Sequence, residues 1–272
     1  VKGRTSVLRT TKRPLAFVLA AANHGTMIVN RNDSFAAPGM TIGVGHNIFE
    51  YSSCGQEEID AALQLLDSRR KNYGDGVVAL DCGANIGVHT VEWARHTDGW
   101  GETIAIEAQE RIYYALVGNL ALNNCFNARA LWAAVGAGAG RIRVPVPDYT
   151  VASSFGSLEI RQTASSEFIG QTVDCSDAKT LDTRMLAIDD IKFARLDLVK
   201  IDIEGMELEA LEGARRSIQR FKPQMLIERI KADQRALDAF LVAHGYKLFA
   251  FGVNLLAIHE SDPYAAEVVV NY

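Results

Sequence analysis

Two short segments of this 272-residue chain gather glycines and carboxylates in patterns that an apolar core does not need. The first is Leu80-Asp81-Cys82-Gly83-Ala84-Asn85-Ile86-Gly87. Gly83 and Gly87 permit a tight turn and a close approach of a ligand to the backbone. A dinucleotide-binding turn would carry G-x-G-x-x-G. This turn fails that pattern in either register: Asn85 stands where the second glycine would fall, or Asp81 where the first would. The second segment is Val199-Lys200-Ile201-Asp202-Ile203-Glu204-Gly205. Read as a strand, it puts Lys200, Asp202 and Glu204 on one face and Val199, Ile201 and Ile203 on the other. Three ionisable groups on one face of a central strand need partners or water, because an unpaired buried charge costs several kcal/mol.

The charge of Asp81 narrows the ligand. A pyrophosphate favours the positive end of a helix with no carboxylate beside it. A carboxylate there suits the ammonium and sulfonium of S-adenosylmethionine, held directly or through water; capping the turn is its plainer role. Glu107 closes Ile104-Ala105-Ile106 and follows Gly87 by 20 positions. Such a carboxylate can accept hydrogen bonds from both ribose hydroxyls of an adenosine. An internal ion pair, with Asp202 or Glu228, is the expected role of Lys200. Asp202 and Glu204 are expected at the carboxyl end of their strand, where open α/β sheets bind ligands. Glu228 ends Met225-Leu226-Ile227 and should neighbour them.

The elements that would position these residues alternate. Val77–Leu80, Thr103–Ile106, Ala130–Val135, Leu198–Ile203 and Gln224–Ile227 form short apolar runs. Helical patterns at Ile86–Arg95, Arg111–Asn123, Glu207–Gln219 and around Leu237 separate them. Runs buried on both faces between helices predict a doubly wound α/β fold with a mostly parallel sheet. Tyr246–Phe251 and Asn254–Ile258, joined at Gly252-Val253, predict a final hairpin whose last strand runs antiparallel. A helix over Glu57–Arg70 precedes the first strand. Residues 1–56 are expected to form an N-terminal extension with short strands, and 57–272 the catalytic domain. Within that domain, 136–180 is an inserted hairpin or loop whose Ser153, Ser154 and Ser157 could touch cofactor or acceptor.

Composition sets outer limits. A net charge of −5 argues against a nucleic-acid groove as the main partner. The four cysteines form no C-x-x-C pair and fit free thiols in the cytoplasm. No apolar run reaches the roughly 20 residues that span a bilayer. Lys2, Arg4, Arg9, Lys12 and Arg13 followed by Leu15–Ala22 are read as a basic segment leading into a short helix, in preference to a weak signal peptide.

Taken in order, Asp81–Gly87, Glu107, Asn119–Asn123, Thr180–Asp182, Leu198–Glu207 and Glu228 make the sequence resemble the FkbM-type methyltransferases over roughly residues 57–258. The resemblance implies S-adenosylmethionine as cofactor and O-methylation of a hydroxyl on a sugar, glycan or natural-product acceptor. The expected cofactor-binding residues are Asp81, Gly83, Ala84, Asn85, Gly87, Glu107, Ala108, Ala134 and Asp202. An alcohol needs help to ionise, so a base is expected, with Glu204, Glu228 and His89 as candidates. A divalent cation held by Asp202, Glu204 and Glu228 ranks below a simple base. The rivals are a nicotinamide-dependent oxidoreductase, which the failed glycine pattern disfavours, and a non-catalytic binding protein on the same fold.

Overall fold

The computed structural model describes residues 14–163 and 166–268. The chain opens with an antiparallel hairpin, β1 (Phe17–Ala22) and β2 (Gly25–Asn30), then a smaller one, β3 (Phe35–Ala37) and β4 (Met40–Ile42). Helices α1 (Val44–Tyr51) and α2 (Gln56–Tyr73) follow. The alternating part comprises β5 (Val77–Cys82), α3 (Val88–His96), β6 (Gly101–Glu107), α4 (Glu110–Leu122) and β7 (Ala128–Trp132). It is interrupted by β8 (Ala134–Val135), β9 (Gly140–Pro145) and β10 (Thr180–Leu186). It resumes with β11 (Leu198–Ile201), α5 (Glu207–Glu212), α6 (Arg215–Phe221), β12 (Gln224–Glu228) and α7 (Gln234–Ala243), and ends in β13 (Tyr246–Phe251) and β14 (Asn254–His259).

Seven strands form the central sheet in the order β13-β14-β12-β11-β5-β6-β7. All neighbours are parallel except β14, which runs antiparallel to both β12 and β13. This is the predicted doubly wound sheet with its antiparallel last strand. Both faces are covered. Leu80, Ile104, Val199 and Ile227 pack against α5, α6 and α7 on one side. Val77, Ala79 and Leu198 pack with Ala62 and Leu66 of α2 and Trp93 of α3 on the other. Burial on both faces is why these strands are continuous apolar runs. Strand order reverses between β5 and β11, and a crevice opens there at the carboxyl ends.

Four local expectations are corrected. The run Leu15–Ala22 forms strand β1 from Phe17, not a helix, because it pairs residue for residue with β2, and pairing overrides the helix preference of alanine. The basic residues Lys2 to Arg13 lie outside the described residues. Ala130–Val135 is not one strand: β7 stops at Trp132, and Ala134–Val135 joins a separate sheet of order β8-β10-β9. The helix expected over Glu207–Gln219 is two helices. Asp189 accepts hydrogen bonds from the amides of Arg216 and Ser217 and so starts α6 afresh. Lastly, β11 ends at Ile201, before Asp202.

Within 136–180, β9 pairs antiparallel with β10, and the described residues 146–163 and 166–179 between them are here called the strap. Among the described residues no helix is long and apolar enough to cross a membrane.

Gly83 is where the sheet is most intolerant of a side chain. Its φ is +80°, and a Cβ there would lie 1.7 Å from the carbonyl oxygen of Asp202. The turn after β5 thus presses directly on the end of β11. Gly83→Ala is expected to lose about 2–4 kcal/mol through left-handed strain plus overpacking. Urea unfolding of the two proteins measures the difference.

Candidate active site

A cavity of about 630 Å³ opens at the carboxyl ends of β5, β6, β11 and β12. One end is built by the turn after β5. Gly83, Ala84 and Asn85 line it, together with Glu107, Ala108 and Ala134. Glu107 is 5% exposed, and burial pushes its carboxyl up to about 7 against the pull of backbone donors. The amide of Asn85 donates to its Oε2 at 2.9 Å and that of Gln109 to its Oε1 at 2.7 Å. Each oxygen retains a further lone pair for a ligand. Asn85 itself has φ 52°, a left-handed turn that aims its amide at Glu107.

Two of the expected cofactor residues sit elsewhere. Asp81 does not line the cavity. Alternation along β5 puts it with Val77 and Ala79 on the face covered by α2 and α3, where it is fully buried. Thr90 of α3 donates its hydroxyl to Asp81 Oδ2 at 2.6 Å, and the Asp81 charge helps hold Lys200 protonated. Gly87 is off the wall as well. Its φ is +87°, and a Cβ would meet Leu116 Cδ1 at 2.5 Å, so the missing side chain serves the packing of α3 on α4.

The other end of the cavity is acidic. Asp202, Glu204 and Glu228 each bring a carboxylate oxygen within 4.8 Å of the others. Glu204 does not arrive by strand alternation, since β11 has already ended. A left-handed turn at φ 59° swings it in, a strained conformation for a residue with a side chain. Glu207 secures that turn by accepting from the amides of Gly205 at 3.0 Å and Ile203 at 3.3 Å. Lys200 is 4% exposed and lies 2.8 Å from Asp202, the internal pair expected of it. Lys231 Nζ lies 2.6 Å from Glu204 Oε2. Burial first, and the neighbouring Asp202 second, push Glu204 up to about 8 and Glu228 up to about 7. Glu228 Oε2 is buried and has no hydrogen-bond partner among the described residues.

His89 lies on the wall between the two ends, its Nε2 3.4 Å from Glu58 Oε2 and its ring edge-on to Trp93. Burial would raise the Glu58 carboxyl, but the close approach of His89, the charge of Lys200 and a hydrogen bond from Asn254 bring it down to about 2. Ser154 and Ser157 line the cavity, their hydroxyls 2.9 Å apart, whereas Ser153 is fully buried behind them.

Several residues that sequence reasoning missed complete the site. Met40, Ile42, Val44, Asn47 and Cys54 of the N-terminal part form a wall. Asp33 binds that wall to the strap: its Oδ2 accepts from the Gly45 amide at 2.9 Å and its Oδ1 from the Phe155 amide at 3.0 Å. The fully buried His24 accepts the Cys54 amide at 2.9 Å and pairs with Glu92 at 3.0 Å, fixing the segment before α2. Glu58 and Lys231 carry no motif; an acid in the first turn of a helix and a lysine after a strand are common surface residues.

Comparison with known proteins adds the following. The sequence model described as the methyltransferase FkbM domain matches residues 81–248, more than half of the chain. Among solved structures, the chain is similar to methyltransferase FkbM from Methylobacillus flagellatus KT, at 23% identity and a TM-score of 0.47, over 68% of this chain and 43% of that one. It is similar to precorrin-6y C5,15-methyltransferase from Geobacter metallireducens GS-15, at 14% identity and a TM-score of 0.44, over 77% of this chain and 89% of that one. Monomeric WbdD shares 12% identity at a TM-score of 0.47, over 80% of this chain and 44% of WbdD. The chain therefore spans less than half the length of the Methylobacillus protein and of WbdD. No curated protein matches the sequence.

Proposed function

The chain belongs to the FkbM methyltransferase family, and from that premise we propose that it moves the methyl group of S-adenosylmethionine onto a hydroxyl oxygen of a sugar, glycan or natural-product acceptor. The observation that carries this reading is the placement of Glu107 and Glu228 at opposite ends of one cavity. Glu107 offers free lone pairs beside the Gly83–Asn85 turn, as two ribose hydroxyls require. The wall between Ala84 and Ala134 is apolar and can take an adenine ring. Asp202, just after β11 and so between the Glu107 and Glu228 ends, suits the cationic methionyl half better than a phosphate, and Glu204 and Glu228 lie beyond it on the acceptor side.

S-adenosylmethionine supplies an electrophilic methyl carbon on a sulfonium. The work of the chain is to hold the acceptor oxygen in line with that carbon and to take its proton. Alignment alone supplies several kcal/mol of the acceleration. The three candidate bases, Glu204, Glu228 and His89, each have a buried atom with no hydrogen-bond partner among the described residues, but Glu204 has Lys231 and His89 has Glu58 within ion-pair distance. Among the described residues Glu228 forms no ion pair, and its carboxyl, pushed up to about 7 by burial and Asp202, suits a base at neutral pH. Glu228 would take the proton that the acceptor hydroxyl gives up on methylation, leaving the thioether as the neutral product.

The test has two arms. Calorimetric titration with S-adenosylhomocysteine and with NAD should give heat with the first alone. Methyl transfer from labelled cofactor to a panel of sugars and polyketide alcohols should then label a hydroxyl oxygen. Absence of heat with S-adenosylhomocysteine overturns the cofactor assignment; binding without transfer to any alcohol overturns O-methylation.

A further inference from the structure

One ammonium at the acidic end holds groups from separate parts of the chain. Lys231 lies just beyond β12, with its side chain 13% exposed. Besides Glu204 at 2.6 Å, its Nζ lies 3.1 Å from Glu167 Oε2 and 3.9 Å from Glu159 Oε1, and it donates to the carbonyl oxygen of Ser157 at 2.9 Å. The last three groups belong to the strap. That segment supplies Ser154, Gly156, Ser157, Leu158, Ile160 and Glu167 to the cavity wall.

Among the described residues the strap is fastened to the N-terminal part and to Gln109 through Tyr149, Ser153 and Phe155, to Phe35 through Phe168, and to Lys231. At the Glu107 end, Phe155 donates its amide to Asp33 and accepts from Gln109 Nε2 at 2.8 Å. At the acidic end, Lys231 is the charged fastening, beside the edge-on contact of Phe168 with Phe35. Arg161 pairs with Glu209 of α5 outside the cavity, where both partners are solvated and the pair contributes little. Lys231 differs in kind. It is largely shielded, and without it Glu159, Glu167 and Glu204 would face one another with no cation between them.

Resting on the methyl-transfer reading, we propose that Lys231 is a positioning residue that latches the strap over the acceptor half of the cavity and holds Glu204 against it. The acceptor wall is complete only with the latch closed, while the turn that takes the adenosine keeps its own fastening at Phe155. Loss of Lys231 therefore weakens acceptor binding and leaves cofactor binding in place.

Trypsin reads the latch directly, because Arg161 is the single lysine or arginine between residues 146 and 178. Lys231→Met should speed cleavage after Arg161 by about tenfold, as expected when a local opening becomes easier. It should raise the KM for the acceptor found in the panel by a similar factor, with the Kd for S-adenosylhomocysteine within twofold of the parent. Lys231→Arg, which keeps a cation in reach, should restore both. Glu167→Gln removes one partner of the latch at a half-exposed position and should speed cleavage by a smaller factor, so it decides the matter if Lys231→Met fails to fold. Parental cleavage rates in both Lys231→Met and Glu167→Gln would overturn the proposal, as would equal losses of cofactor and acceptor affinity. If the parent binds no S-adenosylhomocysteine and transfers no methyl group, the functional reading fails, and the cleavage rates still decide whether Lys231 fastens the strap.

Discussion

Glu107→Gln should weaken S-adenosylhomocysteine binding by about a hundredfold. The glutamine keeps the volume but removes the charge, and its NH₂ end donates where a carboxylate oxygen accepted. One ribose hydroxyl would lose a charge-assisted hydrogen bond worth about 1.5–3 kcal/mol, and the other would keep only a neutral acceptor. One amide donor, Asn85 or Gln109, would also face an NH₂ in place of a carboxylate oxygen. A stability loss accompanies that clash, so the decisive comparison is between ligands. The parent should bind a 3′-deoxyadenosyl analogue much more weakly than the full ribose compound. Glu107→Gln should barely distinguish them, and calorimetry of the four pairs gives the coupling. A variant that still discriminates the two ligands would remove Glu107 from the ribose site. The pH dependence has a definite sign. With the free carboxyl at about 7, the ligand's hydroxyls favour the ionised form, so affinity should fall as pH drops below that value.

How far the site was legible follows from which residues a parallel sheet fixes by itself. Glu107 and Glu228 end apolar runs, and the end of a parallel strand in an open sheet is where ligands bind. Their positions followed once the runs were seen. Glu204 reached the expected place by an unexpected route. Alternation assigned it to a face of β11, but the strand stops at Ile201 and a left-handed turn held by Glu207 delivers it. Asp81 went the other way. Alternation does apply to it, and it carries the side chain under α3 to Thr90, because nothing in the local sequence says which face of β5 the ligand would meet. Gly83 and Gly87 were rightly read as turn residues. The neighbours that exclude a Cβ, the Asp202 carbonyl and Leu116, are distant in sequence and so invisible there. Asp33, Glu58 and Lys231 are missing from the sequence reading for the same reason: each acts on partners that folding brings near, and none carries a spacing of its own.

Glu228→Gln tests the chemistry. The substitution preserves shape, and Glu228 lies on the acceptor side of Asp202, so S-adenosylhomocysteine affinity should stay within a few-fold. A missing general base should lower kcat by about 10²–10⁴-fold. The pH profile carries the finer assignment. Protonated Glu228 cannot take the acceptor's proton, so kcat/KM of the parent should rise with pH and level off above about 7. Because Asp202, Glu204 and Glu228 crowd within 4.8 Å, that limb describes the group as a unit. Removing Glu228 should abolish the limb along with most of the rate. His89→Gln supplies the contrast. If His89 is the base, its loss removes the limb and Glu228→Gln keeps it; if Glu228 is the base, the outcomes are exchanged. Glu228, which unlike His89 forms no ion pair among the described residues, favours the second result. A buried carboxylate oxygen without a donor is costly to maintain, and an acceptor hydroxyl arriving at that atom would satisfy it at the moment the proton must move.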